Sequence, residues 1–212
     1  MNQRPEVGPS ARAWVGVRLV AIGVSAAAIT LIGLVAAGRF DPRPHGQLVE
    51  ESMPGPRTLD ERGSEVIRLA SPWDATQPPD RFSVRLTASM TAGEIDSGYG
   101  LAIGDDRSRL VVAVSPVGNV VIREVPAGSD PEFHLPWQPW PHVRQAHETN
   151  EIWLDVEQGQ DQTAIRAWIN RELLWEGETE PLTSELALWL ESFGGPVSVD
   201  FNKLEWYSPT GD

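Results

Sequence analysis

From Arg81 to Met90 every second residue is apolar: Phe82, Val84, Leu86, Ala88 and Met90 alternate with Arg81, Ser83, Arg85, Thr87 and Ser89. A period of two sends successive side chains to opposite faces, so this stretch predicts a strand with one buried face. Further strands are expected at 99–103, 109–115, 119–125, 151–157, 163–170, 172–176, 185–191 and 197–207. Turn residues separate them at 116–119, 158–161, Asn170-Arg171 and Gly194-Gly195-Pro196. Short strands with hairpin-length links predict an all-β antiparallel sandwich, or jelly roll, over residues 64–208.

One hairpin can be put in register. Pairing Glu157 with Ala164 sets Val156 opposite Ile165, Leu154 opposite Ala167 and Ile152 opposite Ile169, which makes one apolar face. The other face then pairs Asp155 with Arg166 and Trp153 with Trp168. A two-residue turn at Asn170-Arg171 is expected to bring Leu173 and Trp175 beside them, so that three tryptophans share that face.

Ahead of the sandwich, residues 19–38 run for twenty positions without a charge. At about 1.5 Å rise per residue this length covers the roughly 30 Å hydrocarbon core, so a single transmembrane helix acting as a signal anchor is expected. Arg4, Arg12 and Arg18 precede it against Glu6 alone, which puts residues 1–18 in the cytoplasm and the rest outside the membrane. Val35-Ala36-Ala37 leaves a cleaved signal peptide as the alternative. Residues 39–63, with Pro42, Pro44, Pro54 and Pro56 among charges, read as an extended linker, and 209–212 as a short tail. Net charge is -13, which disfavours nucleic acid as a partner. There is no cysteine to form a disulfide or serve as a nucleophile. Lys203 is the only lysine among many arginines, a bias of GC-rich bacterial genomes.

The succession RFSVRLTA, GYGLAIG, NEIWLDVEQ, TAIRAWINRELL, SELALWLES and VSVDFNKLEWY resembles the concanavalin A-like lectin/glucanase superfamily. More narrowly, it is similar to laminin-G-like and 3-keto-disaccharide-hydrolase-like bacterial modules over about residues 70–207. Asn150, the Trp168-Ile169-Asn170 hairpin and Val199-Asp200-Phe201-Asn202 carry the likeness, with Arg171 where such modules often have glycine. The resemblance implies a jelly roll and, in many members, a structural calcium. Those motifs are turns and strand ends, and fold alone does not give activity.

Several side chains are candidates for chemistry. Glu94-Ile95-Asp96 resembles the start of the E-x-D-x-x-E signature of laminarinase-type glycosidases, but Ser97, Gly98 and Tyr99 follow and the second glutamate is missing. His134, His142 and His147 lie with Glu132 and Glu148 in a long loop expected over 126–149, without a diagnostic metal spacing. Asp105 and Asp106, in a turn, offer hard oxygens suited to calcium. Phe133, Trp137 and Trp140 from the loop, with Trp153, Trp168 and Trp175 from the sheet, are candidates to stack on sugar rings, Arg166 and Asp155 supplying hydrogen bonds. Internal packing and a protein interface are the competing readings of the same rings.

The expectation is a membrane-anchored, extracytoplasmic, non-catalytic binding module for carbohydrate. The alternatives are a single-pass structural subunit held among neighbouring membrane proteins and a glycoside hydrolase-like enzyme.

Overall fold

The computed structural model describes residues 24–25, 28–34, 41–73 and 79–209. The chain divides into two units, residues 1–42 and 43–212. In the first, 24–25 and 28–34 are helical and exposed. No helix among the described residues is long and apolar enough to cross a membrane, and the remainder of the expected span 19–38 lies outside them.

The described residues of the second unit form thirteen strands. In chain order these are β1 (Gln47–Ser52), β2 (Gly55–Leu59), β3 (Gly63–Arg68), β4 (Arg81–Gly93), β5 (Gly98–Gly104), β6 (Ser108–Val114) and β7 (Asn119–Pro126). They continue as β8 (Glu132–Pro139), β9 (Asn150–Gln158), β10 (Thr163–Ile169), β11 (Glu172–Thr179), β12 (Leu186–Ser192) and β13 (Val197–Ser208). The first sheet runs β1-β13-β4-β9-β10-β11, with β2 also on β13, and the second runs β3-β12-β5-β6-β7-β8. Every pairing is antiparallel. This is the expected two-sheet jelly-roll sandwich.

The alternation of β4 does what its period requires. Phe82, Val84, Leu86, Ala88 and Met90 are buried in the core between the sheets, with Leu154 and Ile165 beside them and Leu101, Val112 and Leu188 from the second sheet. The hairpin register is also as expected, with Glu157 opposite Ala164, Asp155 opposite Arg166 and Trp153 opposite Trp168. Asn170 and Arg171 both take left-handed backbone angles (φ 51° and 73°), the geometry of a two-residue turn whose twist matches its strands.

Three expectations are corrected. Residues 39–63 are not simply a stalk: β1 and β2 lie along the edge of β13, broken at Met53-Pro54, and β3 borders β12. The stretch 126–149 is not one long loop, because β8 adds an edge strand to β7. The third concerns Trp175. Register shifts between Ala167 and Trp168, so that Trp168 faces Leu173 but Ala167 faces Trp175, with Leu174 as the extra residue. The bulge turns Trp175 toward the core, where it packs with Leu174 against the main apolar cluster. Only two tryptophans of the hairpin therefore share the outer face.

At one end of the core lies a buried amide. Asn150 is fully buried, and its Nδ2 donates to Tyr99 Oη of the opposite sheet (3.0 Å) and to the Arg144 carbonyl (2.9 Å). Its Oδ1 accepts from Arg144 N (2.8 Å) and Asn170 Nδ2 (2.7 Å). An Asn150→Leu substitution keeps the branched shape of the side chain but orphans these partners and adds bulk, so a loss of about 3 kcal/mol or more is expected as a lower urea midpoint with unchanged slope. A midpoint within error of the parent would refute that role.

Candidate functional site

The outer face of the first sheet gathers four of the sequence-derived residues. Trp153 and Trp168, opposite each other on β9 and β10, stack with centroids 4.9 Å apart and planes at 13°. Trp153 is buried at 1% exposure, whereas Trp168 is half-buried and presents the pair to solvent. Both indoles donate to Asp155: Trp153 Nε1 to Oδ1 at 2.7 Å and Trp168 Nε1 to Oδ2 at 3.1 Å. Ser83 Oγ adds a third bond at 2.5 Å, and His45 Nε2 lies 3.7 Å from Oδ2. A buried carboxylate met by this many donors is locked in place, so Asp155 orients both rings.

Asp155 also reaches the wall of a cleft of about 480 Å³. Its rim carries His45, Arg81, Glu157, Arg166 and Glu176, above a floor that includes Ala164. Arg166 Nε binds Glu176 Oε1 at 2.8 Å, and Arg81 pairs with Glu157. A guanidinium has five N–H donors, so each pairing engages part of its arginine and leaves donor capacity toward the cleft. A small floor, a polar rim and an adjoining ring face suit a polyhydroxylated ligand better than a flat apolar one.

Farther along the same face, Arg85 Nε donates to Glu205 Oε2 at 2.7 Å and its guanidinium lies 5.5 Å from the Tyr207 ring centroid. Lys203 Nζ bridges Glu205 and Glu51, 2.9 Å from each, and so ties β1 to β13. Burial pushes the Glu205 carboxyl up, but the hydrogen bonds from Arg85 and Lys203 outweigh it and hold the group below the ordinary carboxylate range.

The other candidates scatter. Trp140 packs against the main core and lies 5.7 Å from the His142 ring. Trp137 belongs to the second sheet's outer face. His134 stands beside Trp175 (5.3 Å) and 3.7 Å from Glu124, and His147 Nδ1 is 2.9 Å from the Met90 carbonyl. His134, Glu124 and Glu132 line a second cleft of about 710 Å³, where burial pushes the Glu124 carboxyl up. No group of three or more His, Asp or Glu among the described residues is arranged to hold a metal ion.

Asp105 and Asp106, the calcium candidates, are engaged by arginines and a backbone amide. Asp106 is bound by Arg68 and by Arg109 (2.7 Å), and Asp105 Oδ1 accepts from Arg107 N at 2.7 Å. Arg68 of β3 and Arg109 of β6 thus hold Asp106, while the backbone of the turn holds Asp105. Glu94 lies in the β4–β5 turn against Gly194, where a Cβ would fall 2.1 Å from its Oε2.

A second aromatic group lies on the outer face of the second sheet, largely unforeseen from sequence. Small residues, among them Gly100, Ala102 and Ala113 on β5 and β6, let large side chains lie flat over the sheet. Trp189 (3% exposed) and Arg123 (7%) do so, and Arg123 Nη2 donates to Glu191 Oε1 at 2.8 Å. The guanidinium sits 5.3 Å from the Trp189 ring and 5.9 Å from Phe133. Trp137 closes against Gly98 and meets Phe193 edge-on at 6.2 Å. Four buried atoms here have no hydrogen-bond partner among the described residues: Arg123 Nε, Glu191 Oε2, Trp137 Nε1 and Trp189 Nε1. The near-continuous apolar runs LVVAV and LALWL signal burial on both faces.

No family model matches the chain, and no curated protein matches it. Among solved structures it is similar to a galectin of Caenorhabditis elegans at 13% identity, covering 74% of this chain and 96% of that one with a TM-score of 0.46. It is similar also to the carbohydrate-binding module CBM66 of Bacillus subtilis, at 12% identity, covering 76% and 94% with a TM-score of 0.43. Likeness at this distance does not transfer a ligand.

The Glu205 network gives a pH signature. A carboxyl held below its ordinary value stabilises the fold above that value, and the contribution is lost as pH falls through the lowered folded-state pKa. Glu205→Gln is therefore expected to be less stable than the parent at neutral pH, with the difference in urea midpoint closing in acid. A difference constant across pH would contradict the assignment.

Proposed function

We propose that this chain is a non-catalytic carbohydrate-binding module carried on the outer side of a membrane by residues 19–38. The observation that carries the binding reading is the cleft of Arg81, Arg166, Glu157 and Glu176 joined through Asp155 to the Trp153–Trp168 stack. Trp168 offers an apolar ring face, and the arginines and carboxylates beside it offer donors and acceptors at a sugar's edge. Asp155 is engaged by three donors, which fits it for holding the rings in place.

Binding to a glycan array and to purified peptidoglycan sacculi tests this reading. Trp168→Ala and Arg166→Ala are each expected to weaken binding about tenfold, the size of one lost stacking or charged hydrogen-bonding contact. Absence of glycan binding by the parent, together with co-purification of fixed protein partners in mild detergent, would favour the structural-subunit reading instead.

The tether rests on the twenty uncharged residues at 19–38 and the arginines before them. The chain has no cysteine, so one introduced at exposed Gln160 is a unique label site. Gln160→Cys in intact cells is expected to react with a membrane-impermeant maleimide and to fractionate with membranes. Labelling only after lysis would reverse the orientation, and recovery in the soluble fraction would remove the anchor.

A further inference from the structure

We propose that the outer face of the second sheet is a second binding site, for an uncharged pyranose ring. It is separate from the cleft, which lies on the opposite side of the sandwich. The starting point is a concentration of unmet hydrogen-bonding capacity. Trp189 and Arg123, both more than nine-tenths buried, leave Nε1 and Nε without partners among the described residues, and Trp137 Nε1 and Glu191 Oε2 are in the same condition on the same face. Buried polar groups are ordinarily satisfied, so four orphans gathered on one face point to a ligand that completes them.

The character of these groups selects that ligand. Three are N–H donors and one is a carboxylate oxygen, so the ligand must accept several hydrogen bonds and donate at least one. Arg123 and Glu191 already neutralise each other at 2.8 Å, which leaves no net charge for an ionic group to answer. The surroundings are aromatic, with Phe133 and Phe193 exposed and Trp137 half-buried. A neutral pyranose combines an apolar ring face with hydroxyls that both accept and donate.

Access follows from which rings are exposed. Phe133, 47% exposed, sits over Arg123, and Phe193, 38% exposed, stands edge-on to Trp137. Exposed aromatic side chains change rotamer on a nanosecond scale, so these two can swing off the orphaned atoms and stack on the entering ring. With one site on each outer face, a single glycan strand is not needed to span both, and one head can engage two strands at once.

Fluorine NMR on the full chain in detergent, labelled with 5-fluorotryptophan, reads the two faces separately. The Trp137, Trp189 and Trp168 signals are assigned by single Trp→Phe substitutions, and the probes are cellohexaose, chitohexaose, xylohexaose and lactose. Saturable movement of Trp137 and Trp189 with at least one probe is expected, with Phe193→Ala weakening that titration about fivefold or more. Phe193 is exposed, so its variant is expected to fold. Movement of Trp168 alone would support the cleft and overturn the second site; movement of Trp137 and Trp189 alone would do the reverse. No movement with any probe would overturn the second site, as would a response confined to tri-galacturonate or to a proline-rich peptide.

Discussion

The side chain of Asn150 is the point on which the arrangement of loops and sheets turns. It projects from β9 into the core, where an amide without partners is strongly unfavourable, and it is satisfied on every side. One bond reaches Tyr99 on the opposite sheet, others hold Arg144 in the segment after β8, and another holds Asn170 at the β10–β11 turn. Asn170 in turn donates to the His142 carbonyl at 2.7 Å and accepts from Glu151 N at 2.8 Å. The hairpin that presents Trp168 and the segment that returns from Trp137 and Trp140 are thus fixed by the same buried group.

The two outer faces solve the problem of an uncovered sheet differently. On the first sheet, charged side chains pair across strands, as in Arg85 with Glu205 and Arg166 with Glu176, while Asp155 gathers two indoles. The second sheet uses small residues as a bed. A Cβ on Gly98 would come within 2.9 Å of the Trp137 ring, so the glycine is what allows that indole to lie close. Ala102, Val111, Ala113 and Val121 are covered in the same way, leaving Arg123 as a cation held between aromatic rings. The first face is polar with an open cleft; the second is aromatic with its polar atoms underneath.

How far each feature could be read from the sequence depended on whether it obeys a period. The β9–β10 register was legible because Ile152, Leu154 and Val156 must share a face with Ile165, Ala167 and Ile169, and a one-residue slip would expose them all. Trp175 escaped because Leu174 inserts one residue into the count, and a bulge leaves no trace in an alternating pattern. β1 and β2 escaped for another reason: they are edge strands with little buried surface, so composition alone made them look like linker. β8 contains Pro136 and Pro139, both exposed, which is tolerable on an edge but reads as loop. Asp155, Arg166, Trp153 and Trp168 were found because they are cross-strand neighbours, whereas Arg123 and Glu191 meet across distant strands.

The overall charge bears on what these faces can hold. At -13 the chain repels anionic polymers at long range, yet each face closes its own charges locally in arginine–carboxylate pairs. Neutral ligands recognised by stacking and short hydrogen bonds escape both the repulsion and the strong salt dependence of ionic binding. On the readings proposed above, each face would bind weakly on its own. In the tethered arrangement proposed above, many heads would share one membrane plane and meet a polymeric ligand, so that the first contact raises the effective concentration for the next. Modest affinity at each face then suffices, because retention comes from the number of heads engaged.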